Sequence, residues 1–345
     1  MEKERNGFVD AIRGIAMLLV ILGHTMTGST INSEQSFLYN IIWTIQMPLF
    51  FLISGYVTRF SRKITSIKSL WMFIARRTFS YLIPWLLWTI VIRGVIFGSF
   101  YFANVREFFE NMSSGYWFLI AIWTISIIFG VSDYLASKIC KSSDSFKNTV
   151  VIGLVYVFGM TVLGAIGFLC GFSFFCIKLT LYYMPFFFIG FVFGKHQNTI
   201  VNIGKFHLIS EIVIALFLIV WCYLLTHFNM YDIEDNLRGI FIRALASLLG
   251  CVSIVGLGVN LNNSAPICAQ KTKKILEYVG KFSLEIYLIH YLVLNIVKVE
   301  NTPNFLSAQG MTIVMVNYVL TILLSVILVK ILKSNRAINK VVFGR

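Results

Sequence analysis

The stretch Asp10-Ala11-Ile12-Arg13-Gly14-Ile15-Ala16-Met17-Leu18-Leu19-Val20-Ile21-Leu22-Gly23-His24 sets a guanidinium and an imidazole among residues apolar enough for a membrane interior. Both groups are costly there and need a partner or a task. Eleven residues at ~100° each return to within roughly 20° of the start, so Arg13 and His24 leave one face of a helix. They stand ~16 Å apart along its axis, about half the ~30 Å hydrocarbon thickness. One polar stripe thus runs from an interface toward the middle of the membrane. Taken alone, the residues leave two readings open. One is a snorkelling arginine with a histidine satisfied by a neighbouring helix; the other is a functional pair.

The rest of the chain belongs to the same setting. Of 345 residues, 58% are hydrophobic and only 13% charged, with a mean hydropathy of +0.81. Soluble domains carry about twice that charge. This excludes an ordinary soluble enzyme and predicts an all-α, polytopic integral membrane protein, one transmembrane domain over 1–345. Apolar stretches of spanning length predict about ten helices, at 8–27, 39–58, 80–98, 116–135, 149–170, 178–194, 208–227, 238–259, 282–298 and 310–332. The first is read as a mature span rather than a cleaved signal, because no small-residue cleavage site follows it.

Loop charge predicts the orientation. With the N-terminus in the cytoplasm, the inward segments hold 21 Lys and Arg and the outward loops hold 2. Both termini are then cytoplasmic. The net charge of +14 follows from basic loops facing anionic lipid, with no need of nucleic acid. An anionic cytoplasmic substrate is favoured on the same side. The six cysteines show no metal-binding spacing, although Cys170 and Cys176 flank one outward loop and are able to pair. No metal-ligand set and no nucleotide-binding glycine loop is present.

Four further constellations carry chemistry. The second span ends Gln46-Met47-Pro48-Leu49-Phe50-Phe51-Leu52-Ile53-Ser54-Gly55-Tyr56. Pro48 frees a carbonyl, and Ser54-Gly55 admits close approach of either another helix or a ligand. The following loop bears Arg59, Arg62, Lys63 and Lys68, then Arg76-Arg77 ahead of Pro84. Such a cluster suits lipid headgroups or a phosphate-rich ligand, since arginine binds phosphate oxygens bidentately. Gly115-Tyr116-Trp117-Phe118-Leu119 opens the fourth span as an aromatic belt or a platform for a sugar ring. The ninth span reads Ser283-Leu284-Glu285-Ile286-Tyr287-Leu288-Ile289-His290, with Tyr287 and His290 on one face. A buried tyrosine–histidine bond and a substrate contact both fit that pair.

Together these runs resemble the membrane acyltransferase-3 family, and the resemblance is spread over nearly the whole chain. It rests on Asp10-Ala-Ile-Arg13-Gly with His24, on Met47 through Tyr56, on Arg76-Arg77 with Pro84, on Tyr116 through Leu119, and on Ser283 through His290. The wording of Met47–Tyr56 is closest to the fucose 4-O-acetylase-like branch. The resemblance implies ten core helices in the cell membrane. It also implies transfer of an acyl group, usually acetyl, from cytoplasmic acyl-CoA to a hydroxyl of an envelope glycan or its lipid-linked precursor. Acetyl-CoA is then a co-substrate, and no metal is expected. By matched motif it points to His24 and Arg13 as the catalytic pair, with Ser54, Gly55, Arg76 and Arg77 in support. Asp10, Tyr56, Trp117, Tyr287 and His290 complete the expected substrate-binding set. Two departures stand out: Ser80 and Tyr81 fall where relatives often carry a further basic residue, and Glu285 replaces a residue that is often neutral.

In the expected mechanism, Arg76 and Arg77 dock the phosphates of acyl-CoA and Arg13 holds or polarises the thioester. His24 removes the proton of the attacking hydroxyl, as an imidazole of ordinary pKa near 6.5 is suited to do. Acyl transfer through the imidazole itself is the other route. Two different classes compete. A secondary transporter or flippase would use intramembrane Arg93 and Arg243 for an anionic solute. A non-catalytic partner in a glycan-export complex is the second, and intact Arg13 and His24 argue against it.

Overall fold

The computed structural model describes residues 6–92, 109, 115–140, 145–196, 207–263 and 267–344. Helix α1 spans Gly7–Ser29. The Asn6 side chain caps it by accepting the Val9 N–H at 3.3 Å, and Asp10 in the first turn complements the helix dipole. Helix α2, Phe37–Tyr56, keeps Pro48 in its interior, as membrane helices tolerate. Helix α3, Ile67–Arg77, opens on a capping box between Ser66 and Ser69. The winding then widens into a π turn over Thr78–Leu82, a short α4 at Ile83–Leu86, and a second π turn over Leu87–Ile92. Pro84 has no N–H to give to a carbonyl four residues back, which is where a wider turn is tolerated.

Six longer helices and three shorter ones follow among the described residues. They are α5 (Trp117–Ile139), α6 (Ser145–Cys170), α7 (Ile177–Lys195), α8 (His207–His227), α9 (Leu237–Asn263), α10 (Ile267–Lys281), α11 (Ser283–Ile289), α12 (Ala308–Ser334) and α13 (Arg336–Phe343). Seven spans among the described residues are long and apolar enough to cross a membrane: Gly7–Ser29, Phe37–Phe60, Trp117–Ile139, Ser145–Cys170, Phe174–Lys195, Leu237–Leu257 and Ala308–Ser334. The chain is an all-α, multi-pass membrane protein. Large apolar side chains left exposed on α6, among them Leu154, Phe158, Phe168 and Leu169, are what a lipid-facing surface requires.

Seven of the ten expected spans coincide with these helices. The stretch expected at 208–227 is helix α8, whose apolar part Glu211–His227 is shorter. The stretch expected at 80–98 is helical as far as Ile92; residues 93–98, including Arg93, lie outside the described residues. The stretch expected at 282–298 needs correction. Its helix stops at Ile289, a 3-10 turn takes His290–Leu292, and the chain runs on without helix to Ala308. Between the spans expected at 238–259 and 282–298, where the sequence reading placed an inward segment, the chain forms the helix α10.

Packing divides the chain into two compact units, one of Met1–Ile53 with His196–Leu332, the other of Ser54–Lys195 with Lys333–Arg345. In the first, α1 and α10 run backbone to backbone. A Cβ on Gly14 would collide with the Leu276 carbonyl, and one on Gly280 would collide with the Asp10 carbonyl and come within 2.8 Å of the Gly14 nitrogen. Asn40 of α2 closes the end of α8. Its amide donates to the Leu225 and Phe228 carbonyls at 2.8 Å each, and its oxygen accepts the Met230 N–H at 2.7 Å.

The irregular chain after His290 is held by side chains of α1 and α12. Buried Asn317 donates to the Val297 carbonyl at 2.9 Å and to Ser29 Oγ at 3.1 Å, and accepts the Val297 N–H at 3.0 Å. Thr321 donates to the Val293 carbonyl at 3.1 Å, and Ser29 donates to Asn295 Oδ1 at 2.8 Å. Ile31 and Asn304 form a parallel bridge. Backbone that leaves a helix needs such partners wherever water is excluded, and these side chains supply them at Val293 and Val297.

In the second unit, Gly55 faces the backbone of α7. A Cβ there would strike the Phe187 carbonyl and come within 2.9 Å of the Phe191 nitrogen, while one on Gly194 would come within 2.6 Å of the Tyr56 carbonyl. Trp123 Nε1 donates to Thr78 Oγ1 at 3.0 Å, and Trp88 Nε1 donates to the Val342 carbonyl at 2.9 Å, which ties α13 beside α4. Asp133 accepts the Ile64 N–H at 3.1 Å and so anchors the segment leading into α3.

Candidate functional site

Arg13 and His24 leave α1 as half-buried side chains on a helix whose other positions are mostly buried. Arg13 Nη1 lies 3.5 Å from Asp10 Oδ1, with 26% of the arginine side chain and 9% of the aspartate side chain exposed. The i,i+3 carboxylate thus steadies the guanidinium without sealing it off. Gly14, next in the motif, is the residue that lets α10 approach. The run Asp10–Gly14 therefore combines a charged pair with the helix crossing that positions it.

His24 sits in a cluster of rings contributed by α11 and the 3-10 turn after it. Tyr291 Oη is 3.0 Å from His24 Nε2. The His24 ring stacks on His290 at 5.5 Å and 30°, and tilts against Tyr291 at 5.0 Å. His290 and Tyr291 lie 4.2 Å apart, and Tyr287 is 5.7 Å from His290. His290 is fully buried, with Nδ1 2.7 Å from the Tyr287 carbonyl. A carbonyl only accepts, so Nδ1 carries the proton and Nε2 is the bare nitrogen. That Nε2 is buried without a hydrogen-bond partner among the described residues. A donor entering beside His24 would satisfy it. Glu285, on the same short helix, is completely buried.

The structure thus brings His24, His290 and Tyr287 together, with Arg13 and Asp10 on the helix that carries His24. Tyr291 belongs to the same cluster, and the sequence motif read as far as His290 leaves it out. Its signal was there: it stands four residues after Tyr287, an i,i+4 spacing that sets both tyrosines on one side of a helix.

The remaining candidates belong to the second unit. Ser54 is half-buried, Gly55 makes the α7 crossing, and Tyr56 accepts a hydrogen bond from Arg59 Nη1 at 3.2 Å. Arg76 is exposed. Arg77 donates from Nη1 to Tyr81 Oη at 3.2 Å, with its guanidinium over the rings of Phe73 and Tyr81 at 5.1 and 5.8 Å. Tyr81, one of the two departures from the family pattern, is therefore the residue that orients Arg77. Trp117 stacks on Tyr183 at 5.5 Å and 19°, so one face of its indole is already covered.

Other groups are committed elsewhere. Arg243 pairs with Asp235 at 3.3 Å and donates to the Ile233 carbonyl at 2.8 Å, whereas Arg93, the other cation of the transporter reading, lies outside the described residues. Cys170 and Cys176 are free thiols, one exposed and one buried. Among the described residues no group of three His, Cys, Asp or Glu side chains is placed to hold a metal ion.

Comparison with known proteins agrees with the motifs. A family model described as an acyltransferase domain matches residues 6–330. A nodulation protein, NolL, from Sinorhizobium fredii (strain NBRC 101917 / NGR234) is 25% identical over 195 residues, covering 54% of this chain and 48% of that protein. The likeness therefore spans about half the length of that relative. No solved structure matches. The family match takes in α1 with Arg13 and His24, the Met47–Tyr56 run, the paired arginines, Trp117 and the histidine cluster alike, and on that extent the chain belongs to the acyltransferase-3 family.

Proposed function

We propose that the chain is an O-acyltransferase of the cell membrane. It moves an acyl group, acetyl before others, from cytoplasmic acyl-CoA to a hydroxyl of a cell-envelope or exported glycan or its lipid-linked precursor. The observation that carries the reading is the placement of half-buried His24 among Tyr291, His290 and Tyr287, on the helix that bears the Asp10–Arg13 pair. An imidazole with a hydrogen-bonded orienting group is the arrangement general-base catalysis uses. Arg13 offers a planar five-donor fork suited to a carbonyl or phosphate oxygen.

In the transfer, the acceptor hydroxyl oxygen attacks the thioester carbonyl carbon while His24 takes the hydroxyl proton. The tetrahedral species collapses, the C–S bond breaks, and its electron pair leaves on sulfur. The imidazolium returns the proton to the thiolate, giving an ester and free CoA. Arg76 and Arg77, at the end of α3, suit the phosphates of CoA, and Trp117 suits a sugar face. Basic segments on the cytoplasmic side favour an anionic donor there.

The test is incubation of purified protein with labelled acetyl-CoA and a simple sugar acceptor. Free CoA and a labelled, base-labile ester are the expected products. Uptake or flipping of the sugar in vesicles, with no CoA released, would replace this reading with transport.

A further inference from the structure

We infer that Tyr291 is a positioning residue that holds His24 in the Nε2–H tautomer and so leaves Nδ1 as the proton acceptor. The inference rests on the general-base reading of His24 and adds which nitrogen acts and what sets it. Tyr291 Oη stands 3.0 Å from His24 Nε2, and His24 Nδ1 has no hydrogen-bond partner among the described residues. A phenolic hydroxyl can donate or accept. If it donated to Nε2, the ring proton would sit on Nδ1, and neither nitrogen would have a lone pair free for a substrate. If Nε2–H donates to Tyr291 Oη, Nδ1 is bare, and the ring is half-buried rather than sealed. Only the second polarity leaves His24 able to work.

His290 makes the arrangement rigid. Its own tautomer is fixed by the Tyr287 carbonyl at 2.7 Å, and its ring packs on His24 and on Tyr291. Its bare, buried Nε2 offers an acceptor beside His24, so the pocket holds two imidazoles of opposite tautomer. During transfer the acceptor O–H bond breaks, its proton passes to His24 Nδ1, and that proton leaves with the CoA sulfur after the C–S bond breaks. The Nε2–H···Oη bond persists throughout and strengthens while the ring is an imidazolium, because hydrogen bonds to charged groups are stronger.

The experiment is nitrogen NMR of histidine-labelled full-length protein in micelles, with His24 assigned by its loss in His24→Gln, combined with kinetics of Tyr291→Phe. The expected spectrum shows His24 mainly as Nε2–H in the natural protein and as a tautomer mixture in Tyr291→Phe. In that variant kcat falls about 10- to 100-fold, the effect of losing a hydrogen bond to a charged group. KM values for acetyl-CoA and acceptor stay within about two-fold, since nothing that binds either is removed. A dominant Nδ1–H form in the natural protein, an unchanged kcat, or an effect confined to KM would overturn the inference. Should Tyr291→Phe not fold, the spectrum of the natural protein decides alone. Retained turnover in His24→Ala would instead sink the general-base reading itself. A dead His24→Ala beside a fully active Tyr291→Phe would sink only the role of Tyr291.

Discussion

Gly14 and Gly280 meet where α1 crosses α10, so closely that a methyl group on Gly280 would lie 2.8 Å from the Gly14 backbone nitrogen. The glycine that follows Arg13 in the motif is thus a packing residue. It joins the amphipathic helix Ile267–Lys281 to the turn that bears Asp10 and Arg13.

Gly280→Ala should therefore destabilise the protein by about 1–3 kcal/mol or more, the range for overpacking, because the obstacle is backbone and cannot rotate away. Gly164→Ala is the control. Nothing lies within 4 Å of a Cβ at Gly164 on α6, and alanine is the better helix former by about 1 kcal/mol. Thermal unfolding in detergent should separate the two, with a lowered midpoint for the first and an equal or raised one for the second.

His24→Ala should abolish acyl transfer while leaving expression and the unfolding midpoint close to normal. Arg13→Lys should lose most activity as well, since an ammonium cannot reproduce the guanidinium fork or its pairing with Asp10. Turnover with labelled donor checks both; a fully active His24→Ala removes the histidine from the reaction.

Replacing Arg76 and Arg77 together with Gln should raise KM for acyl-CoA about 10- to 100-fold, with acceptor KM little changed, because charge-assisted phosphate contacts are lost. Donor binding in the natural protein should weaken with added salt, as long-range attraction is screened within ~8 Å at physiological ionic strength. Trp117→Ala should act on the acceptor side instead. An arginine variant that alters acceptor kinetics alone would return the pair to a lipid-facing role.

Asn317→Leu removes the group that answers both the N–H and the carbonyl of Val297 and also meets Ser29. Losing hydrogen bonds that are buried or part-buried costs about 1–3 kcal/mol, and a destabilisation in that range is expected, read as easier unfolding in denaturing detergent. An unchanged unfolding curve would mean that the segment from Val293 to Asn304 has other support.

Orientation is testable with single cysteines in a background lacking the native ones. Substitutions at exposed Ser66 and Lys274 should react with an impermeant thiol reagent only after lysis, and those at exposed Gln35 and Asn301 in intact cells. Labelling at position 66 in intact cells would invert the topology.

Most helices were legible in the sequence because a long apolar run has few alternatives in lipid. The Arg13–His24 stripe was legible for a similar reason: helical geometry fixes which side chains share a face. Two elements were not. Ile267–Lys281 carries lysines at Lys271, Lys273 and Lys274 and so counts as a loop by hydropathy, although Leu276, Val279 and Gly280 mark the side that packs. The ninth stretch looked like a full span because composition cannot show that Asn317 and Thr321, far along the chain, take over the hydrogen bonds of Val293 and Val297. Tyr291 was legible in principle, four residues after Tyr287 on one helix side, but the motif that drew attention ends at His290.

The segment after His290 depends on partners that the ribosome makes later. Asn317 and Thr321 lie on α12, 20 and 28 residues beyond the backbone groups they satisfy. Synthesis runs from the N-terminus, so α1 and His24 are in place long before the stretch that orients them can settle. The backbone of Val293 and Val297 therefore gains these partners only once Ala308–Ser334 has been made. The irregular chain that leads away from the histidine cluster is a late-closing part of the fold, whereas His290 and Tyr291 already have Tyr287 and His24 to rest on.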